Sequence, residues 1–182
     1  MFILDNSFSG DSAINIINDD SSLSGTLTLN LKDFSIDMNE KDGNGIYINQ
    51  GVHRIDSITI FNIRNGIGLY ANYPAERSRA LYITNCSFHG VTKANSYYNN
   101  TGIYLSNHVV DCILSTIEIM NVKIGMVVYN YITMSDIHIY TGHNAVSDSR
   151  ADAWWSETVG IIANNALIHA TNIYLDSCHH LI

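Results

Sequence analysis

The chain has 182 residues, 46% of them hydrophobic, with one proline and a formal net charge of −8. A chain of that length buries one sizeable core, on the order of two-thirds of its unfolded surface. The negative charge, with basic residues few and scattered, argues against a nucleic-acid backbone or an anionic membrane surface as partner.

Met1-Phe2-Ile3-Leu4 meets Asp5 at once, so neither a signal peptide nor a membrane span is expected there. The first strand-like stretch is Ala13-Ile14-Asn15-Ile16. A phrase then begins that recurs six times: apolar, any, apolar, two small polar residues, apolar, any, apolar. Its copies cover residues 29–36, 53–60, 81–88, 112–119, 132–139 and 168–175. Each apolar-any-apolar unit has the strand period of two, and the polar pair between them reads as a corner.

After most corners comes a glycine-led strand, at Gly45-Ile46-Tyr47-Ile48, Gly66-Ile67-Gly68-Leu69, Gly102-Ile103-Tyr104-Leu105, Gly125-Met126-Val127-Val128 and Gly160-Ile161-Ile162-Ala163. Glycine suits a sharp bend there because it tolerates unusual backbone angles. Two strands and a third per repeat predict a coiled parallel sheet: a single-stranded parallel β-helix of about seven coils. The Ala13 stretch belongs to an earlier coil. Helical solenoids need a 3.6-residue period that no long window shows, and a β-sandwich does not repeat one corner at one offset. With no linker in sight, residues 1–182 read as one domain.

Measured at Phe34, Ile58, Cys86, Ile117, Ile137 and Ile173, the coils are 24, 28, 31, 20 and 36 residues long. The shortest is the bare coil, so the excess is loop. It accumulates on one edge, before the glycine-led strand: Asp37 to Asn44, then 89–101 with Tyr97 and Tyr98, then 140–158 with Trp154 and Trp155. A different edge carries loop 71–80, with Glu76, Arg77 and Arg79. Coils stack about 4.8 Å apart, so the two aromatic loops are rooted roughly 10 Å from each other. Glu118, Met120 and Lys123 would floor the groove between them.

Large loops that the fold does not need are where function concentrates. Flat aromatic faces bind the apolar face of a sugar, and polar side chains bond its hydroxyls. Trp154, Trp155, Tyr97, Tyr98, Arg150, Lys123 and Arg77 are the candidates for substrate binding. Asp148, Asp152, Glu157 and Glu118 are candidate catalytic carboxylates, with His143 placed to tune them. Glycoside hydrolysis needs two carboxyls, about 5–5.5 Å apart for retention and roughly 6.5–9.5 Å for inversion. Elimination instead needs a base beside an acidic sugar, for which His143, Arg150, Tyr97 and Lys123 are available. Hydrolase, lyase and pure binder all remain open on these residues. No cofactor is implied. The three cysteines match no metal spacing and sit at core slots as free thiols, and the eight histidines form no ligand set.

The corner phrase and the Gly-Ile-x-apolar strands resemble the right-handed parallel β-helices of the pectate-lyase-like superfamily. The Asn- and Tyr-rich coils, the scarcity of proline and the long aromatic loops are most similar to bacteriophage tailspikes and capsule depolymerases. That resemblance implies a right-handed helix, a homotrimer or part of a longer tail protein, and residence in a virion tail or otherwise outside the cell. It also implies a bacterial surface polysaccharide, capsule or O-antigen, as the molecule bound and cleaved. The alternative is a non-catalytic adhesin or tail-fibre stalk. Polygalacturonase-type Asn-Thr-Asp and Gly-His-Gly motifs are missing, and Phe88-His89-Gly90 is only a partial echo, so no catalytic residue carries over. No capping element is visible after Leu175, so a segment of a longer protein, prone to self-association, is expected.

Overall fold

The computed structural model describes residues 1–4, 8, 10–17, 29–49, 52–74, 80–91, 98–141 and 157–180. Every regular element among them is a strand: β1 (Phe2–Ile3), β2 (Ser12–Ile16), β3 (Leu29–Asp37), β4 (Asn44–Ile48), β5 (Val52–Ile63), β6 (Gly66–Ala71), β7 (Tyr82–Gly90), β8 (Asn100–Leu105), β9 (Cys112–Met120), β10 (Ile124–Tyr140) and β11 (Val159–Asp176). They form one parallel sheet in the order β1-β3-β5-β7-β9-β10-β8-β6-β4-β2, with β11 on β10. The sheet curls because β10 serves both halves. Ile124, Met126 and Val127 pair with β8, whereas residues 132–140 pair with β9. The arrangement is consistent with a β-solenoid, and β2 is the earlier repeat expected at Ala13, paired with β4.

The six phrase copies lie in register on successive strands. Their apolar slots stack inward, and Ile36, Ile60, Phe88, Ile119 and Ile139 are all buried. The corner is a bend inside continuing pairing. Its second polar residue has positive φ in every copy: Asp33, Ser57, Asn85, Thr116, Asp136 and Asn172, at 53–58°. Asn and Asp tolerate this left-handed conformation, but a β-branched residue does not. Thr116→Asn should therefore stabilise the fold by about 1 kcal/mol; an unchanged or lowered midpoint in urea would contradict that.

Side chains tie the corners together. Thr84 Oγ1 and Asn85 Nδ2 donate to Asp56 Oδ1 at 2.9 and 3.0 Å, and Asn172 Nδ2 donates to Asp136 Oδ1 at 2.9 Å. The bonds from Asn85 and then Thr84 hold the Asp56 carboxyl below its ordinary value of 3.8. A depressed carboxylate contributes stability above its unfolded value and loses it as pH falls through the folded one. The melting temperature should thus hold down to about pH 5 and drop below pH 4. A midpoint that rises on acidification would count against these corner bonds.

The glycine-led strands hold a correction. Ile46 pairs with Leu69 and Ile67 with Thr101, so the glycine in register with Gly45 and Gly102 is Gly68, not Gly66. The reason for glycine also differs from the bend expected. Gly45, Gly68, Gly102 and Gly125 are buried, and a Cβ on each would lie under 3.0 Å from a core side chain (Ile60, Phe88, Ile119 and Ile139 respectively). The ladder exists because the inward side chains of β5, β7, β9 and β10 fill that space. Gly66 does take a positive φ, 145°, where its backbone approaches Gly43.

All three cysteines are free thiols. Cys86 and Cys112 are buried as expected, and burial pushes the Cys86 thiol up to about 11 and Cys112 higher still. Cys178 is only half-buried. Cys86 and Cys112 are packing groups, not nucleophiles.

Candidate functional site

The strand ends that flank the segments between each phrase and the next glycine-led strand lie along one edge of the sheet. Strand pairing reaches Gly90 and resumes at Asn100, and on the later repeat it reaches Tyr140 and resumes at Val159. The short connection 121–123 lies between these two roots. Asn121 N donates to Tyr140 O at 2.8 Å, Val159 N to Lys123 O at 2.9 Å, and Lys123 N to Asn100 Oδ1 at 2.8 Å. The geometry is the one that coil lengths imply, two strand spacings between roots with a bare repeat between.

A buried amide fixes one root. Asn100 is 2% exposed, and its Nδ2 donates to Ile63 O at 2.8 Å while its Oδ1 receives the Lys123 bond. Asn44 does the same work earlier, accepting from Ile67 N at 3.1 Å and donating to Ser12 Oγ at 3.3 Å. These asparagines satisfy backbone groups at the bend.

On the outward face beside that edge, Ser87, Glu118, His138 and Tyr174 stand in register on β7, β9, β10 and β11. Two residues further along each strand are His89, Met120, Tyr140 and Asp176. His89 Nε2 lies 3.0 Å from Glu118 Oε2, with side chains 30% and 45% exposed. The ring of His138 lies 5.0 Å from that of Tyr174, and its Nε2 is buried without a hydrogen-bond partner. Two imidazoles that coil lengths alone did not single out, those of His89 and His138, thus lie on the same outward face as Glu118 and Met120.

Two of the candidates neutralise one another. Lys123 Nζ bonds Glu157 Oε2 at 2.5 Å across the short connection. The ammonium holds the Glu157 carboxyl below its ordinary value, so Glu157 stays ionised and does not serve as a general acid at neutral pH. Lys123 is likewise committed to this pair. Tyr98 faces the preceding repeat, where the Arg64 guanidinium sits 5.3 Å from its ring centroid. Arg64 Nε is also 3.7 Å from Asp42 Oδ1, at an open depression lined by Phe8, Asp11, Lys41, Asp42, Asn44 and Arg64. Asp148, Asp152, His143, Trp154, Trp155, Tyr97, Arg150 and Arg77 lie outside the described residues. Among the described residues no cluster of three or more His, Cys, Asp or Glu could hold a metal ion, and no helix is long and apolar enough to cross a membrane.

A feature not evident in the sequence is a tyrosine ladder on the half of the sheet formed by β4, β6 and β8. Tyr47, Tyr70 and Tyr104 stack in register with ring centroids 5.3 and 5.0 Å apart, and Tyr129 follows at 6.2 Å. Each of the first three sits two residues after a ladder glycine, a signal visible once Gly68 replaces Gly66. The bond to Tyr129 and then burial push the Tyr104 phenol up to about 12, and burial raises that of Tyr70. Neutral phenols of this kind brace the stack and do not act as bases. No family model matches the chain, and neither a curated protein nor a solved structure matches it.

Proposed function

We propose that this chain is the body of a right-handed parallel β-helix, of about seven coils with three short strands each, that binds and cleaves a bacterial surface polysaccharide. The observation that carries the reading is the outward track of Ser87, His89, Glu118, His138, Tyr140 and Tyr174 beside the roots of the two longest insertions. Hydroxyl, imidazole, carboxylate and phenol groups on a rigid sheet can bond successive sugar hydroxyls. The location that goes with it is a phage tail, with a homotrimer or a longer tail protein as the assembly.

Incubation with a panel of bacterial capsules and lipopolysaccharides tests the reading. Binding to at least one polymer and its shortening are expected. The pairing of Lys123 with Glu157 favours a second reading, a non-catalytic binder, because it removes two groups from chemistry. Binding with no loss of polymer length would select that reading, and no binding at all would discard both.

A further inference from the structure

We infer that molecules of this chain join head to tail, β11 of one docking on β3 of the next, into an open-ended filament. The inference concerns the two ends of the sheet and stands apart from the polysaccharide reading. It begins with the apolar slots on either side of the corner. In the four internal phrase copies these are at most 1% exposed: Ile55 and Ile58, Ile83 and Cys86, Leu114 and Ile117, Met134 and Ile137. In the first copy the matching Leu31 and Phe34 are only half-buried. In the last, Ala170 is exposed and Ile173 half-buried. Slots shaped for a core thus reach solvent at both ends.

The two ends are open by complementary halves. At the tail the phrase of β11 is in place, but beside residues 159–163 the outer edge holds, among the described residues, only the bridge from Val159 to His180. At the head the other half is in place: β2 pairs with β4. There the phrase half is nearly missing, because β1 covers only Ile36 and Asp37 of β3. Residues 29–34 have no strand on that side among the described residues. Each end therefore supplies what the other lacks. The β11 phrase of one molecule fits beside β3 of the next, and β2 of that second molecule fits beside residues 159–163 of the first.

The pairing inside the chain sets the register. Ile14 shares a row with Ile46, Leu69, Ile103, Met126 and Ile161, so Ile14 of the second molecule falls next to Ile161 of the first. The phrase rows likewise set Ala170 beside Leu31 and Ile173 beside Phe34. A parallel edge accepts a strand of its own direction and slot pattern, and a slip of one residue would turn the apolar slots outward. A second molecule meets both conditions, and the contact continues the one that already joins β11 to β10. Because head and tail are different surfaces, the contact does not close on itself and propagates. β1 is the competitor, since Phe2 and Ile3 hold the places that Leu175 and Asp176 would take. Phe2 and Ile3 are 60% and 59% exposed, and a strand of two residues yields to a phrase with four apolar slots. One row then sets Asp176 beside Asp37, whose carboxylate already accepts from Asn39 N and Asn62 Nδ2 at 2.8 Å.

Sedimentation of the full chain over an about 100-fold range of concentration tests the inference. The mass should rise with concentration and reach no fixed end point. Leu29→Lys blocks the head and Ala170→Lys the tail. Both positions are exposed in the single molecule, Leu29 at 43%, so urea unfolding should show both variants folded. Each alone should associate at least about 100-fold more weakly, because docking would bury an unpaired ammonium group. Mixed in equal amounts they should form dimers and nothing larger: the open tail of the first variant meets the open head of the second, and both outer ends are blocked. A wild-type chain that stays monomeric, a fixed trimer that neither change disturbs, or folded variants that still assemble alone would each overturn the inference. So would folded variants that remain monomeric when mixed.

Discussion

Gly102→Ala should destabilise the protein by about 3 kcal/mol or more, lowering the melting temperature by roughly 6–12 °C. The added methyl would lie 2.6 Å from Ile119 Cγ2 and 2.7 Å from the carbonyl oxygen of Gly125. The side-chain clash alone is of the overpacking kind, worth about 1–3 kcal/mol. The carbonyl belongs to the next strand of a ladder whose spacing is fixed by hydrogen bonds, so it has little room to yield. Against this, alanine recovers only about 0.5–1 kcal/mol of backbone entropy relative to glycine. The clash wins. Gly10→Ala is the matched control, because the methyl there meets only the tip of the Phe8 ring at 3.0 Å. It should change stability by no more than about 0.5 kcal/mol. Equal effects at the two positions, read from urea unfolding, would contradict the glycine ladder.

Replacing Trp154 and Trp155 together by alanine should weaken polysaccharide binding about 100-fold or more, with the β-sheet spectrum unchanged. Two aromatic contacts each worth about 2 kcal/mol at a binding hot spot exceed that factor. Both tryptophans of the chain lie side by side in its longest insertion, which the repeat does not need. Segments of that kind carry recognition more often than stability. A folded double variant with undiminished affinity would move the contact surface off this insertion.

The sequence made the inward half of the structure legible because the phrase is a packing rule. Slots such as Ile36, Ile60 and Ile119 must face the core, and a slip of one residue would turn all of them to solvent. The corners were legible for a related reason: Asn85, Asp136 and Asn172 are residues that accept positive φ. At Gly66-Ile67-Gly68 the strand itself was legible, since β6 begins at Gly66, but its alignment slipped by two residues because two glycines satisfy the same short pattern. Only the register against Gly45 and Gly102 separates them. The tyrosine ladder was hidden by the same slip.

The candidate site was legible as a place and less so as chemistry. Coil lengths located the roots of the insertions, and Glu118 and Lys123 between them. They did not show what each side chain does. Lys123 and Glu157 are 34 residues apart and meet only because β11 pairs with β10 directly after the short connection 121–123. His89 reaches Glu118 diagonally from the neighbouring strand, 29 residues away. Diagonal neighbours of this sort emerge when the outward rows are aligned beyond the phrase, past Ser87 and Glu118 to His89 and Met120.

Hydrogen exchange of the full chain, with and without a bound capsular oligosaccharide, tests most directly whether this face is the glycan site. Ligand-dependent protection is predicted at residues 87–91, 117–123 and 137–141. Protection confined to the tyrosine-bearing strands, residues 46–48, 69–71 and 103–105, would contradict it.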